Sequence, residues 1–297
     1  MSALPPIPLA RLRAAVEAAG APPRKRHGQH FLQDANLLAA IVRDAEVGPG
    51  DVVLEIGPGP GLLTRHLLAA GAAVRAVEID PRIRSAAEQL VEPELWPRLT
   101  WTEADALAGP QALSDPLRAL LPGCTRVVSN LPYNIAAPLI VLLLEEPAAP
   151  DRLVALIQAE MGERLLAAEG SRDYGSLSVV RALCAEARIL RRVPPVAFWP
   201  APRVSSVLVE LRRRPDRPDA PSLQALHVFL GLAFHARRKT LANSVSHASG
   251  VPVAEVCRRL ALPEKTEKRR AESFPPVQLL ASALAWASNA AGERNSP

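Results

Sequence analysis

The sequence predicts an α/β fold in which a doubly wound, largely parallel sheet precedes a smaller helical domain. Strand and helix patterns alternate through the first part of the 297 residues, and a glycine-rich turn, Gly57 to Gly61, connects one strand to a helix. After a proline- and arginine-rich break at residues 212–218, only helical patterns follow. We therefore expect a sheet domain at residues 24–214 and a helical domain at residues 215–297.

Composition and charge narrow the class of protein. The formal charge of +5 and the pI near 9.5 permit an anionic partner, although a solvated basic surface explains the same excess. Cys124, Cys184 and Cys257 have neither metal-ligand nor disulfide spacing. The longest apolar run, Ile135 to Leu144, is interrupted by Pro138 and falls short of the roughly twenty residues of a membrane span. We expect a soluble cytoplasmic protein without a signal peptide or a bound metal.

The N-terminal residues 1–23 contain several prolines and one short helical pattern, Leu9 to Ala19. We interpret this segment as a flexible, loosely attached arm. A basic cluster with Lys25 and Arg26 comes next and leads into Gln29-His30-Phe31-Leu32. The cluster is either a solvated tail or a basic arm beside a nucleotide site.

The glycine-rich turn is the strongest local signal. Asp51 to Ile56 is a predicted buried strand, the turn Gly57 to Gly61 follows directly, and a helix begins at Leu62. A second strand, Ala73 to Val77, ends at Glu78. In a doubly wound sheet, this geometry brings the turn to a nucleotide and the acidic residue to ribose hydroxyls. Because the spacing is G-x-G-x-G rather than G-x-G-x-x-G, it favours an S-adenosylmethionine loop over a dinucleotide site.

Acidic residues also follow the third predicted strand. That strand, near Leu99 to Thr102, ends in Glu103-Ala104-Asp105-Ala106. An acidic side chain at this point would lie at the carboxyl edge of the sheet, where ligands bind in such folds, and could accept a hydrogen bond from a cofactor's adenine amine. The alternative is a solvated loop carboxylate.

The turn after the central strand carries the predicted chemistry. Asn130-Leu131-Pro132-Tyr133 follows a buried β-branched strand, and Pro132 pushes Leu131 toward an extended conformation. The Asn130 amide oxygen and a main-chain carbonyl could then accept both N–H bonds of an aromatic amine and aim its lone pair at an electrophile, while Tyr133 stacks on the base. The alternative is that Asn130 caps the helix that begins near Ile135 and Tyr133 is a core aromatic.

Two later segments add candidate contacts. The proline-rich loop Val196 to Val204 lies between two predicted closing strands, and its Phe198 is either a second stacking face for a base or a hydrophobic plug. In the helical domain, Arg237-Arg238-Lys239 and Lys265 to Arg270 form basic patches. Each patch could contact RNA phosphates or be a solvated face.

Seven segments in order together resemble one family, the ribosomal RNA adenine N6,N6-dimethyltransferases, which modify two adjacent adenines near the end of small-subunit rRNA. The segments are Gln29-His30-Phe31-Leu32, Glu55 to Gly61, Glu78-Ile79-Asp80, Asp105-Ala106, Asn130 to Ile135, Phe198-x-Pro200-x-Pro202-x-Val204 and Phe234-x-x-Arg237-Arg238-Lys239-Thr240. The resemblance covers the chain from about Arg24 to near the C-terminus.

The resemblance implies a Rossmann-like class I methyltransferase sheet of seven strands, the last antiparallel, followed by a small all-helical domain. The implied S-adenosyl-L-methionine contacts are His30, Leu32, Gly57, Gly59, Gly61, Glu78, Asp105, Ala106 and Asn130. The implied holders of the target base are Asn130, the Leu131 carbonyl, Pro132 and Tyr133, with Phe198 on the other face. The implied RNA contacts are Lys25, Arg26, Arg237, Arg238 and Lys239. His30 stands where the family often has Asn.

The expected reaction is direct transfer of a methyl group from a sulfonium, in which positioning is the main task and no strong base is needed before attack. The expected substrate is small-subunit rRNA within an immature ribosomal subunit, bound by a monomeric enzyme. One rival is a macrolide-resistance methylase that acts on large-subunit rRNA. The Arg237 to Thr240 segment favours the small-subunit interpretation over this rival. The other is an assembly factor whose main role is binding, which the intact Asn130 and glycines do not favour.

Overall fold

A computed structural model of the chain describes residues 4–23, 29–260 and 268–294. The predicted RNA contacts Lys25 and Arg26, and Lys265 of the second basic patch, lie outside the described residues. The chain forms two compact units. The sheet unit comprises Met1–Gly162 and Ala187–Arg213, and the helical unit comprises Glu163–Glu186 and Arg214–Pro297.

Eleven strands are found in the described residues. They are β1 (Phe31–Leu32), β2 (Val52–Ile56), β3 (Ala73–Glu78), β4 (Leu99–Glu103), β5 (Leu107–Gly109), β6 (Ala112–Leu113), β7 (Arg126–Asn130), β8 (Arg152–Gln158), β9 (Ala185–Val193), β10 (Phe198–Trp199) and β11 (Ser206–Arg213). Seven of them form the main sheet in the order β4-β3-β2-β7-β8-β11-β9, while β1 pairs with β10 and β5 pairs with β6.

The main sheet has the direction pattern that the resemblance implies. Strands β4, β3, β2, β7 and β8 are parallel, and β11 runs antiparallel to β8. The apolar runs that predicted these strands are buried: Val53, Leu54, Val128 and Val154 are each fully shielded from solvent. The strand order reverses between β2 and β7, and such a switch point is where ligands bind in doubly wound sheets.

A side chain separates the two strands at this switch point. The β2–β7 register extends only over Val53↔Arg126 and Leu54↔Val127. Beyond it, the Ile56 amide donates to the Ser129 hydroxyl at 2.8 Å, and Ser129 is buried. A side-chain hydroxyl therefore takes the place of a backbone acceptor at the carboxyl ends of β2 and β7, just ahead of the glycine turn.

The helices cover the sheet and build the second unit. They are α1 (Leu9–Ala18), α2 (Ala35–Asp44), α3 (Leu62–Ala69), α4 (Ile83–Leu90), α5 (Asp115–Leu120), α6 (Ala136–Glu145), α7 (Ala159–Leu166), α8 (Ser176–Cys184), α9 (Ala220–Ala233), α10 (Leu241–Ser249), α11 (Val253–Arg259) and α12 (Pro276–Arg294). No helix among the described residues is long and apolar enough to cross a membrane. Asp34 caps α2 as predicted, since its carboxylate accepts from the Asn36 and Leu37 amides.

The N-terminal segment differs from the expected flexible arm. In α1, Leu12, Ala15 and Val16 are at most 3% exposed and belong to the main hydrophobic core. The Arg65 guanidinium also donates to the Pro5 carbonyl at 2.9 Å. Three apolar residues in a proline-rich stretch make a weak helical pattern. The sequence alone therefore did not indicate that this helix packs on the core.

The helical unit also differs from the expected boundary at residues 214 and 215, because it includes the internal segment Glu163–Glu186. Within this unit, the buried Tyr174 donates its hydroxyl proton to the Phe274 carbonyl at 3.0 Å. The Gly170 amide donates to the Glu272 carbonyl at 2.6 Å. Contacts between residues about a hundred positions apart leave no local sequence pattern, and the proline-rich break marks only the last crossing of the chain between units.

Candidate active site

A cleft of about 810 Å³, open to solvent, lies at the carboxyl edge of the sheet beside the switch point. The predicted site residues that line it are His30, Gly57, Gly59, Glu78, Asp105, Ala106, Asn130, Leu131, Pro132 and Tyr133. They come from β1, β2, β3 and β7 and from the loop after β4, so the sheet edge brings together residues that lie a hundred positions apart in the chain.

The glycine turn packs too closely for side chains. Gly59 has a φ of +55°, and a Cβ there would lie 2.9 Å from the Phe31 ring. Gly61 has a φ of +78° and caps α3, and a Cβ there would lie 2.8 Å from a methyl group of Val91. Gly59 lines the cleft but Gly61 does not. Gly61 therefore shapes the turn from behind, and its expected cofactor contact has no support in the structure.

Glu78 presents a fixed carboxylate to the cleft. One oxygen accepts from the Gly59 amide at 3.0 Å, and the other accepts from the Asp80 amide at 3.0 Å. Glu78 is 4% exposed, and burial raises its pKa above the usual range of a glutamate, while these N–H groups oppose the rise. Each carboxylate oxygen has a second lone pair, which leaves Glu78 able to accept hydrogen bonds from two hydroxyl groups of a ligand.

A second carboxyl group lies behind the glycine turn. Glu55 is 1% exposed, and the Thr64 hydroxyl donates to it at 2.7 Å. Burial and, to a smaller extent, the nearby Glu78 carboxylate raise the pKa of Glu55 to about 8, and the hydrogen bond from Thr64 opposes this rise. Glu55 is therefore a neutral acid at pH 7. Glu55 borders a smaller cavity of about 290 Å³. Leu32 also lines this smaller cavity and does not line the main cleft.

The Asn130 amide is held in one orientation. Its Nδ2 donates to the His30 carbonyl at 2.9 Å, so Oδ1 is the atom that can accept from a ligand. Helix α6 starts at Ala136 with Ile135 at its N-cap and no side-chain cap, which excludes the alternative that Asn130 caps it. The Leu131 amide donates to the Leu156 carbonyl of β8 at 3.1 Å and fixes the turn to the sheet.

Tyr133 and His30 form an aromatic pair at the cleft wall. Their rings are stacked with centroids 5.5 Å apart, and the Tyr133 hydroxyl shares a 2.7 Å hydrogen bond with Ser206. The His30 Nδ1 donates to the Pro200 carbonyl at 2.7 Å. Both the imidazole and the main-chain carbonyl of His30 are thus engaged within the protein, which indicates that His30 orients Asn130 and Tyr133.

Phe198 was expected to stack on the target base, and the structure contradicts that expectation. Phe198 is 2% exposed, pairs with Leu32 across β1 and β10, and belongs to the hydrophobic core. It does not line the cleft. The hydrophobic-plug alternative is correct, because strand pairing with β1 turns this ring inward, and no local pattern predicts that pairing.

The cleft wall also contains eight residues that were not predicted as contacts: Gln29, Phe31, Ile56, Val77, Ile79, Ala104, Asn134 and Ile135. Ile79 is 47% exposed, which is unusual for an isoleucine that directly follows a buried strand. An exposed apolar residue beside the Glu78 carboxylate could pack against a nucleobase. The available signal was its position immediately after Glu78.

The predicted basic patch of the helical unit has two parts. The Arg237 guanidinium donates to the Arg172 carbonyl at 2.7 Å and to the Tyr174 carbonyl at 2.8 Å, so it holds the loop before α8. Arg238 and Lys239 are exposed, and their side chains make no hydrogen bond or ion pair to residues that the structure describes. One guanidinium nitrogen of Arg237 thus bonds to this loop, whereas the side chains of its two neighbours have no such bonds.

Comparison with known proteins decides the family. A family model described as ribosomal RNA adenine dimethylase matches residues 21–278. The chain belongs to this family. It is thus an enzyme that dimethylates rRNA adenine with S-adenosylmethionine as methyl donor. Among residues 4–23, 29–260 and 268–294, no group of His, Cys, Asp and Glu could hold a metal ion.

Relatives of this dimethylase include two named ribosomal RNA small subunit methyltransferase A. The one from Phenylobacterium zucineum is 41% identical over 278 residues, 94% of this chain and 93% of its own. The one from Thermosynechococcus vestitus is 44% identical over 227 residues, 75% of this chain and 82% of its own.

Solved structures confirm the class I methyltransferase fold. A dimethyladenosine transferase from Plasmodium falciparum superimposes with a TM-score of 0.70 at 24% identity, over 88% of this chain and 98% of its own. The 23S rRNA methyltransferase ErmE superimposes with a TM-score of 0.56 at 25% identity, over 86% and 99%.

Proposed function

We propose that this dimethylase acts on the small ribosomal subunit, where it dimethylates the N6 amines of two adjacent adenosines near the 3′ end of 16S rRNA during subunit biogenesis. The observation that carries the chemistry is the Asn130 amide, locked by the His30 carbonyl with its oxygen available in the cleft. The choice of subunit is supported by the relative with 41% identity over 94% of the chain, which is named for the small subunit. The 23S enzyme ErmE has 25% identity.

The residues of the cleft fit S-adenosylmethionine. The buried Glu78 carboxylate matches a ribose diol, the exposed Ile79 side chain matches an adenine face, and Asp105 at the rim matches its amine. Gly57 and Gly59 leave the turn without side chains at the floor of the cleft. When bound, S-adenosylmethionine supplies a methyl group activated by a sulfonium. The remaining contacts, from Ala106 and from the Asn130 turn, belong to the same proposal.

The Asn130 turn would hold the substrate amine. Asn130 Oδ1 and the Leu131 carbonyl accept hydrogen bonds from the two N–H groups of the amine, and Pro132 keeps the turn rigid. Tyr133, braced by Ser206 and His30, stacks on the base after it leaves its helix, at a cost of a few kcal/mol. The methylated nitrogen becomes a strong acid and loses its proton without a dedicated base, so these residues work by positioning.

The domain roles and the setting are part of the proposal. The sheet unit carries the methyl transfer, and the helical unit contributes RNA contacts through Arg238 and Lys239. We propose that the enzyme works as a monomer in the cytoplasm on immature small subunits. The charge of +5 suits a partner rich in phosphate.

The test is nucleoside mass spectrometry of purified small and large subunits that lack adenine dimethylation, after incubation with the enzyme and S-adenosylmethionine. We expect dimethyladenosine in 16S rRNA only, at two adjacent positions. Product in 23S rRNA alone would overturn the choice of subunit. Cofactor binding without any product on either subunit would instead favour an assembly factor whose main role is binding.

Replacing Arg238 and Lys239 together with alanine should weaken binding to small subunits and reduce the slope of log K against log salt by about 1 to 2, because each cation that contacts a phosphate releases about one counterion. The affinity for S-adenosylmethionine should not change. Filter binding between about 50 and 200 mM salt measures the slope. Arg237→Ala is the contrasting variant, since loss of its bonds to the loop should lower the thermal stability. An unchanged slope in the double variant would contradict the RNA contact.

A further inference from the structure

The N-terminal helix is connected to the acidic end of the cleft through one arginine. Arg82 Nη1 donates to the Gly20 carbonyl at 2.7 Å, just beyond the end of α1. Its Nε and Nη2 donate to the two carboxylate oxygens of Asp80 at 2.8 and 2.5 Å. A single guanidinium therefore bonds to both the N-terminal segment and the turn after β3.

The same turn holds the carboxylate of Glu78. The Asp80 amide donates to Glu78 Oε1, and the Asp80 side chain is 4% exposed between this turn and Arg82. Ile79, the residue between them, is 47% exposed and packs little of its own surface. The position of the Glu78–Asp80 turn therefore depends on hydrogen bonds. Arg82 supplies some of them, and the same guanidinium also bonds to the N-terminal segment.

The N-terminal segment is a firm anchor. Leu12 and Val16 are each 1% exposed, and α1 packs on α4, the helix that begins just after Arg82. The Arg11 guanidinium donates to the Gln89 carbonyl at the other end of α4 at 2.9 Å. Helix α1 is thus fixed along α4, and its C-terminal end is placed where Arg82 can reach the Gly20 carbonyl.

We propose that Arg82 is a positioning residue that couples the N-terminal helix to Glu78 and so sets the affinity for the cofactor. This inference rests on the proposed role of Glu78 as the acceptor of ribose hydroxyls. A carboxylate that must meet two hydroxyls needs its position fixed within about half an ångström, which supporting hydrogen bonds provide. The Arg82 side chain is 36% exposed and the Asp80 side chain is 4% exposed, so solvent screens only one end of this ion pair.

The experiment measures the Kd of S-adenosylmethionine by calorimetry for Arg82→Ala and Arg82→Lys in the full chain. Both should raise Kd by roughly 5- to 20-fold, the range of a modest coupling between sites, with little change in kcat at saturating cofactor. Lysine keeps the charge but cannot bond to Asp80 and Gly20 together, so it should not rescue. Arg84→Ala, in the first turn of α4, is the matched control and should leave Kd unchanged, because among the described residues Arg84 pairs only with Glu88 and Glu103.

The coupling to α1 is tested by repeating Arg82→Ala where the helix is loosened, either by Leu12→Ala or by deletion of residues 1–19. In a loosened background, Arg82→Ala should change Kd by less than about twofold. An equal effect in both backgrounds would mean that Arg82 acts through Asp80 alone and would overturn the coupling. Should neither background fold, hydrogen exchange in full-length Arg82→Ala decides, since the Gly59 and Asp80 amides should exchange faster than in wild type, and unchanged protection would overturn the proposal.

Glu78→Gln separates this inference from the proposed site. If Glu78→Gln leaves Kd unchanged, the assignment of Glu78 to the cofactor fails and the coupling inference fails with it. If Glu78→Gln weakens binding while Arg82→Ala does not, only the coupling inference is wrong.

Discussion

Asn130→Ala should lower the rate of methyl transfer by about 10²- to 10³-fold, the usual loss when one preorganised hydrogen-bonding group at a reacting centre is removed. In the proposed site the amide can accept a hydrogen bond from the reacting amine only through Oδ1, because its Nδ2 donates to the His30 carbonyl. Single-turnover transfer with saturating cofactor measures this step, and the Kd of S-adenosylmethionine should change much less than the rate.

Two further variants sharpen this test. Asn134→Ala removes the same side chain from the same turn at an exposed position of the cleft and should retain most of the rate. Asn130→Asp keeps an acceptor but places a carboxylate oxygen against the His30 carbonyl, so it should also be slow. A rate for Asn130→Ala within about threefold of that for Asn134→Ala would show that the Asn130 amide does not position the amine.

Glu55→Gln should stabilise the enzyme at alkaline pH by roughly 4 kcal/mol, given 1.36 kcal/mol for each pKa unit. The pKa of Glu55 is about 8 in the folded chain, against 4.5 when solvated. Below pH 4.5 the carboxyl is protonated in both states and costs nothing. Between pH 4.5 and 8 the unfolded chain releases this proton and the folded chain keeps it, so unfolding becomes more favourable as the pH rises.

Urea unfolding at pH 5 and pH 8 measures this effect. Wild type should lose stability between these pH values, and Glu55→Gln should lose much less, with a remaining slope from Glu78, whose pKa is also raised. Glu17→Gln on the exposed face of α1 is the control for the loss of a carboxylate. Parallel pH profiles for Glu55→Gln and wild type would mean that Glu55 is ionised in the folded enzyme.

The sequence predicts a site residue best when that residue is placed by the secondary-structure element that carries it. The glycine turn, Glu78 and Asn130 each follow a strand with a clear apolar pattern, and parallel strands bring their carboxyl ends to one edge. Topology then places these residues in one cleft without any information on side-chain contacts. This is why the fold and the sheet-edge residues were accessible from the sequence.

The sequence predicts poorly where a role depends on a distant partner. Phe198 is turned into the core by its pairing with Leu32, and Arg237 is committed to the carbonyls of Arg172 and Tyr174. Helix α1 is ordered because Leu12 and Val16 meet a surface made by other segments. An aromatic residue, an arginine or a short helix has the same local sequence pattern whether it is exposed to solvent or bonded to a distant part of the chain.

The division of the helical unit into two stretches of chain has a consequence for protein synthesis. Segment Glu163–Glu186 emerges from the translating ribosome well before residues 214–294, which complete its unit. During that interval Tyr174, Val179 and Val180, all buried in the finished enzyme, have no cover from the later helices. The Tyr174 hydroxyl finds its acceptor only when Phe274 has been made, so this apolar segment must wait for nearly the whole of the nascent chain.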